Sequence, residues 1–86
     1  MHIVKQAAYV GGFRIALSFD DGATKVVDLE SHLTGEIFDP LRDAAYFAGF
    51  QVNQDTDTIE WPNGADFSPD WLYEIGTDSR AFSHTG

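Results

Sequence analysis

Seven consecutive residues, Phe13-Arg14-Ile15-Ala16-Leu17-Ser18-Phe19, alternate without interruption, and Asp20-Asp21-Gly22 follows them. A period of two places Phe13, Ile15, Leu17 and Phe19 on one face and Arg14, Ala16 and Ser18 on the other, the pattern of a strand with one buried side. Residues Ala23 to Leu29 resume an extended pattern, so the stretch predicts a β-hairpin. Turn length decides its register. A two-residue Asp21-Gly22 loop would set Ile15 opposite Asp28 and Arg14 opposite Leu29, mixing charge with core on both faces. A three-residue loop closed by Gly22 at positive φ instead pairs Phe13 with Leu29 and Ile15 with Val27 on the core face. Its outer face pairs Arg14 with Asp28 and Ser18 with Thr24, both favourable cross-strand contacts. The three-residue loop is therefore expected.

Ile3 to Val10 reads as a preceding strand that runs into Gly11-Gly12, and Leu29 to Gly35 as a single helical turn. Asp39-Pro40 is a helix start, and Leu41, Ala44, Ala45 and Ala48 recur at helical spacing, which predicts an amphipathic helix over about 40–48 ended by Gly49. A second hairpin around Asp55-Thr56 pairs Val52 with Ile59 and Phe50 with Trp61, leaving Gln51 and Glu60 on the other face. Pro62 ends it. Ser68-Pro69 repeats the cap-plus-proline signal for a short helix whose apolar side is Trp71, Leu72 and Ile75, ended by Gly76. Residues 1–76 then form a single α+β domain, two-layered, of antiparallel hairpins and two short helices. Residues 77–86, with Phe82 as their one large apolar side chain, are expected to be a flexible tail.

An 86-residue chain has room for one core, and a domain of this size buries only roughly 60% of the surface its unfolded form exposes. A homodimer would add burial. The absence of cysteine removes disulfides, thiolate zinc sites and cysteine nucleophiles. With no basic leader and no apolar run near the ~20 residues of a membrane span, the chain is expected to be cytoplasmic and not membrane-bound. Fourteen acids against five Lys and Arg give a net charge of −9, which disfavours direct nucleic-acid binding. Residues 44–86 hold seven acids and one base, Arg80, so a basic protein partner would dock there first.

Catalytic patterns are missing. His2, His32 and His84 share no face with other metal ligands. Asp55-Thr56-Asp57 opens like a calcium loop, but Glu60 and Asp66 stand where glycine and a bidentate glutamate are required. Ser31-His32 lacks a nucleophile elbow, and Gly11-Gly12 precedes a strand and not a helix. Neither a cofactor nor a metal is expected, and the chain reads as non-enzymatic. The segment Trp61 to Tyr73 has most character: Trp61, Asn63, Asp66, Asp70, Trp71 and Tyr73 could form a recognition surface, with Asp66 and Asp70 taking a cation and an aromatic ring stacking on it. The competing reading makes the same residues structural. Asp66 bonds its own turn, Ser68 caps the helix, Asp70 favours the helix dipole, and the rings fill a core.

The alternating strand with Asp21-Gly22, then Val27-Asp28-Leu29, Leu41, Phe47, and above all Trp61-Pro62-Asn63-Gly64-Ala65-Asp66 with Ser68-Pro69 and Leu72-Tyr73, resemble family 2442 of the domains of unknown function. The resemblance spans roughly residues 3–75. It implies a small bacterial α+β domain without an established catalytic activity. Some members carry an added helix-turn-helix, which the eleven residues after Ile75 are not expected to form. Some are encoded beside a small protein regarded as a toxin and have been called presumptive antitoxins, which fits an acidic protein that covers a basic partner. The expected function is thus a protein-interaction module for a basic partner, such as an antitoxin-like neutraliser. The alternative is a small-molecule-binding domain, with its ligand sheltered at a dimer interface.

Overall fold

A computed structural model describes residues 1–78. The alternating segment forms β2 (Arg14–Phe19), which pairs with β3 (Thr24–Asp28) in the expected register: Arg14 with Asp28, Ile15 with Val27, Ser18 with Thr24. Phe19 donates to the Ala23 carbonyl and Gly22 to the Phe19 carbonyl, so the loop is Asp20-Asp21-Gly22, with Gly22 at φ 88°. A side chain is disfavoured in that conformation, which is why glycine closes the turn. Strand β1 (Val4–Tyr9) lies antiparallel on the other side of β2, with a register shift between Val4 and Gln6. Ile15, Leu17, Phe19, Val27 and Leu29 are buried on the core face, as the period of two requires.

After β3 the chain makes a 3-10 turn (Glu30–His32) and a longer 3-10 helix (Glu36–Arg42), then the one-turn α1 (Ala44–Phe47). The continuous helix expected over 40–48 is not formed. Asp43 adopts an extended conformation between the two helical pieces, and Pro40 sits inside the 3-10 helix and not at a helix start. Ala44, Ala45 and Ala48 are exposed, while Leu41 and Phe47 enter the core. Methyl groups offer little area to bury, so two large side chains set the path in place of the alanine periodicity. Arg42 donates to the Leu33 carbonyl and ties the two 3-10 segments together.

The second hairpin, β4 (Gln51–Asn53) and β5 (Thr58–Glu60), pairs Gln51 with Glu60 and Val52 with Ile59 as the sequence requires, and forms a separate two-stranded sheet. It meets the main sheet where Val4 donates to the Asp57 carbonyl. Helix α2 (Pro69–Ile75) starts with the Ser68 hydroxyl accepting from the Trp71 N–H, and Leu72 is its fully buried residue. Gly76 has an ordinary φ of −68°; a methyl there would lie 2.9 Å from Lys25 Cβ, so its need is for space. Thr77–Asp78, placed by the sequence in the tail, pair with Lys25 and Val26 as β6, giving a main sheet of order β1-β2-β3-β6. Phe82 and the rest of the expected tail lie outside the described residues. The core joins the main sheet, the second hairpin, Leu33, Leu41, Phe47 and Leu72 into one cluster. The chain is a small α+β domain of antiparallel strands and short helices.

Candidate functional site

The segment Trp61 to Tyr73 is divided among three environments. Trp61 is 2% exposed, and its indole Nε1 donates to the Phe47 carbonyl at 2.8 Å. It belongs to the core. Asn63 links two loops: Oδ1 accepts from Ala65 N–H at 3.1 Å, and Nδ2 donates to the Ile37 carbonyl at 2.8 Å. Asn63, not Asp66, therefore braces the turn. The Asp66 carboxylate is exposed and makes no hydrogen bond or ion pair among the described residues.

Asp70 and Tyr73 face the N-terminal segment. One oxygen of Asp70 accepts the His2 backbone N–H at 2.7 Å and the imidazole Nδ1 at 2.9 Å. The His2 ring stacks on Tyr73 with centroids 3.7 Å apart, and Lys25 Nζ lies 4.2 Å from the centre of the Tyr73 ring. The Tyr73 hydroxyl donates to Asp21 at 2.7 Å, and Asp20 accepts the Ile3 N–H. The clamp joins the first strand's entry, the hairpin turn and α2. The His2 side chain, then its backbone N–H, holds the Asp70 carboxyl below the usual carboxylate value. The Ala23 N–H, then the Tyr73 hydroxyl, does the same for Asp21, and the Asp21 bond pushes the Tyr73 hydroxyl up. Asp70 and Tyr73 already have partners, so they are not free to take a cation together with Asp66.

Trp71 points elsewhere. Its indole stacks on Phe67 (5.2 Å, 16°), Phe67 stacks on Phe38 (4.9 Å, 19°), and His32 meets Trp71 edge-on (4.8 Å, 90°). The four rings form a continuous ladder that bridges both 3-10 segments and the start of α2. Phe38, Phe67 and Trp71 are each half-buried against the core, His32 is exposed, and Ile37 beside Phe38 is 49% exposed. Thr58, almost fully buried, donates through Oγ1 to the Phe67 carbonyl at 2.6 Å and holds the middle rung from beneath. The segments that carry the ladder, 30–43 and 63–74, contain seven carboxylates and one permanent cation, Arg42, which is engaged with the Leu33 carbonyl. Phe38, Phe67, His32 and Ile37 escaped the sequence reading because their convergence crosses some thirty residues of chain; the aromatic content around Trp71 was the only local hint.

A second feature is a groove of about 350 Å³ lined by Gly49, Gln51, Glu60, Trp61, Pro62 and Gly64. Its one carboxylate, Glu60, accepts from the Asn53 side-chain amide. Among the described residues no three His, Asp or Glu side chains converge on a metal position, and no helix is long and apolar enough to cross a membrane.

The family model for a protein of unknown function (DUF2442) matches residues 4–78, that is, all six strands and both α-helices of the described residues, and the chain belongs to that family. No curated protein and no solved structure matches it.

Proposed function

We propose that this DUF2442 domain is a non-enzymatic protein-interaction module that binds a basic protein partner through the Phe38–Phe67–Trp71–His32 ladder, as an antitoxin-like neutraliser would. The observation that carries the reading is a half-exposed aromatic ladder whose segments hold seven carboxylates and one engaged cation, in a chain of net charge −9. Arginine and lysine side chains gain from both components: a ring face left open at an end of the ladder supplies cation–π attraction of about 0.5–2 kcal/mol, and the exposed Asp66 carboxylate with its neighbours steers the approach. Aromatic rings already ordered by stacking lose little freedom on binding, as interface anchors should.

The test is capture from a cell lysate of the source organism at low salt, with the folded domain as bait. A basic protein retained at low salt, released at high salt, and bound roughly tenfold more weakly by Asp66→Lys and Ile37→Ser supports the reading. Both positions are exposed, so the variants keep the fold. Equal retention by all three proteins sinks it.

The groove beside Trp61 favours a second reading, a small-molecule site that a second copy of the chain could cover. Its volume lies at the lower limit for ligand pockets. A metabolite that raises the melting temperature of the parent protein but not of Gln51→Ala would support it.

A further inference from the structure

The loop that braces the ladder contains the most reactive asparagine sequence a chain can carry. We infer that Asn63–Gly64 is a deamidation site guarded by the fold, and that its conversion to aspartate or isoaspartate uncouples Ile37 and Phe38 from the rest of the ladder. This inference is independent of what the ladder binds.

The chemistry is intramolecular. The Gly64 backbone nitrogen loses its proton and attacks Asn63 Cγ, the Cγ–Nδ2 bond breaks, and Nδ2 leaves as ammonia, forming a five-membered succinimide. Water then opens either carbonyl to give aspartate or isoaspartate, with no change of oxidation state. Glycine speeds the attack because no Cβ shields the nitrogen; Gly64 is exposed, with open space where a Cβ would stand. The other asparagine, Asn53, precedes Gln54 and provides an internal comparison of slow sequence type.

In the folded turn every atom of this reaction is held. The Gly64 N–H donates to the Trp61 carbonyl at 2.9 Å. Asn63 Oδ1 accepts from Ala65, and Nδ2 donates to Ile37, so Cγ cannot swing toward the nitrogen without breaking both bonds. Gly64 permits the turn's positive φ of 90°. Trp61 itself is anchored in the core by Phe47, which ties the carbonyl that holds the Gly64 N–H to the core. Once the amide is lost, the product presents a carboxylate to the Ile37 carbonyl, two acceptors with no hydrogen between them. That contact must open, and Ile37–Phe38 moves with it.

Peptide mapping by mass spectrometry after incubation at mildly alkaline pH, of the folded protein and of the chain in denaturant, tests the guard. Residue 63 is expected to convert at least roughly tenfold faster in the unfolded chain, the difference that loss of two or three hydrogen bonds implies, while Asn53 stays slow. Equal rates at residue 63 in both states, or no conversion in the unfolded chain, overturn the inference. The second half is read in Asn63→Asp, where faster amide exchange at Phe38 and a weaker near-ultraviolet dichroism are expected. Asn63→Ser, which retains an oxygen for Ala65 N–H but adds no charge, covers the case in which Asn63→Asp fails to fold. Parent-like exchange at Phe38 in Asn63→Ser overturns the coupling.

Discussion

The indole N–H of Trp61 donates to the backbone carbonyl of Phe47 across 2.8 Å, inside a core where Phe47 is fully buried and Trp61 almost so. One bond thus joins the end of β5 to the end of α1, and the Trp61 ring packs on Phe47, Phe50 and Phe67 at once. Trp61, which the sequence offers as part of a recognition surface, has a structural role in the core instead. Trp61→Phe removes the donor and part of the ring, and leaves the Phe47 carbonyl buried without a partner. A loss of about 2–4 kcal/mol is expected, measured as the shift in urea unfolding at constant slope.

Thr58 offers a test that changes almost no volume. Thr58→Val removes the hydroxyl that holds the Phe67 carbonyl, with an expected cost of about 1–3 kcal/mol. Near-ultraviolet dichroism should weaken too, because the middle rung of the ladder loses its support. An unchanged urea midpoint would show that the ladder does not depend on this bond.

The clamp makes stability depend on pH at both ends of the scale. Asp21 and Asp70 have folded-state pKa values lowered below those of the unfolded chain. Their stabilisation is complete above about pH 4, the unfolded carboxyl value, and is lost as pH falls through the lowered folded values. Asp70→Asn should therefore flatten the acid limb of a plot of urea midpoint against pH. Tyr73 is shifted the opposite way, so its contribution is complete below about pH 10 and is lost as pH rises through the raised folded value. Spectrophotometric titration should show Tyr73 ionising above the ordinary phenol value, and Asp21→Asn should bring it back toward that value.

Two glycines fail for different reasons when substituted by alanine. Gly22→Ala forces a side chain into a left-handed turn residue at φ 88°, for about 1–2 kcal/mol. Gly76→Ala has no backbone strain but sets a methyl 2.9 Å from Lys25 Cβ and 3.0 Å from the Leu72 carbonyl, for about 1–3 kcal/mol of overpacking. Removing the neighbouring side chain in Lys25→Gly should rescue the part of the Gly76→Ala penalty that Lys25 causes, not the part due to the Leu72 carbonyl, and leave the Gly22→Ala penalty unchanged, which a double-mutant cycle measures.

Both hairpins were legible because a strand's period of two couples register to burial: a slip of one residue in β2 would have buried Arg14 and exposed Ile15. The three-residue turn at Asp20-Asp21-Gly22, the Gln51–Glu60 and Val52–Ile59 pairs, and the Ser68 cap follow from interactions within a few residues, and these the sequence by itself determined. The segment 36–48 was not legible in this way. Its alanine spacing suits a helix, yet burial of Leu41 and Phe47 decides the path, and that gain exists only once the sheet is present. The candidate site divides along the same line. Aromatic and acidic content around Trp71 could be read from residues 61–73, but the assignment of Trp61 to the core, of Asp70 and Tyr73 to a clamp with His2, and of Phe38 and His32 to the ladder required the tertiary structure. Ring stacking and carboxylate pairing act over a few ångströms in space, between residues as far apart as 2 and 70, and no local pattern records which of them will meet.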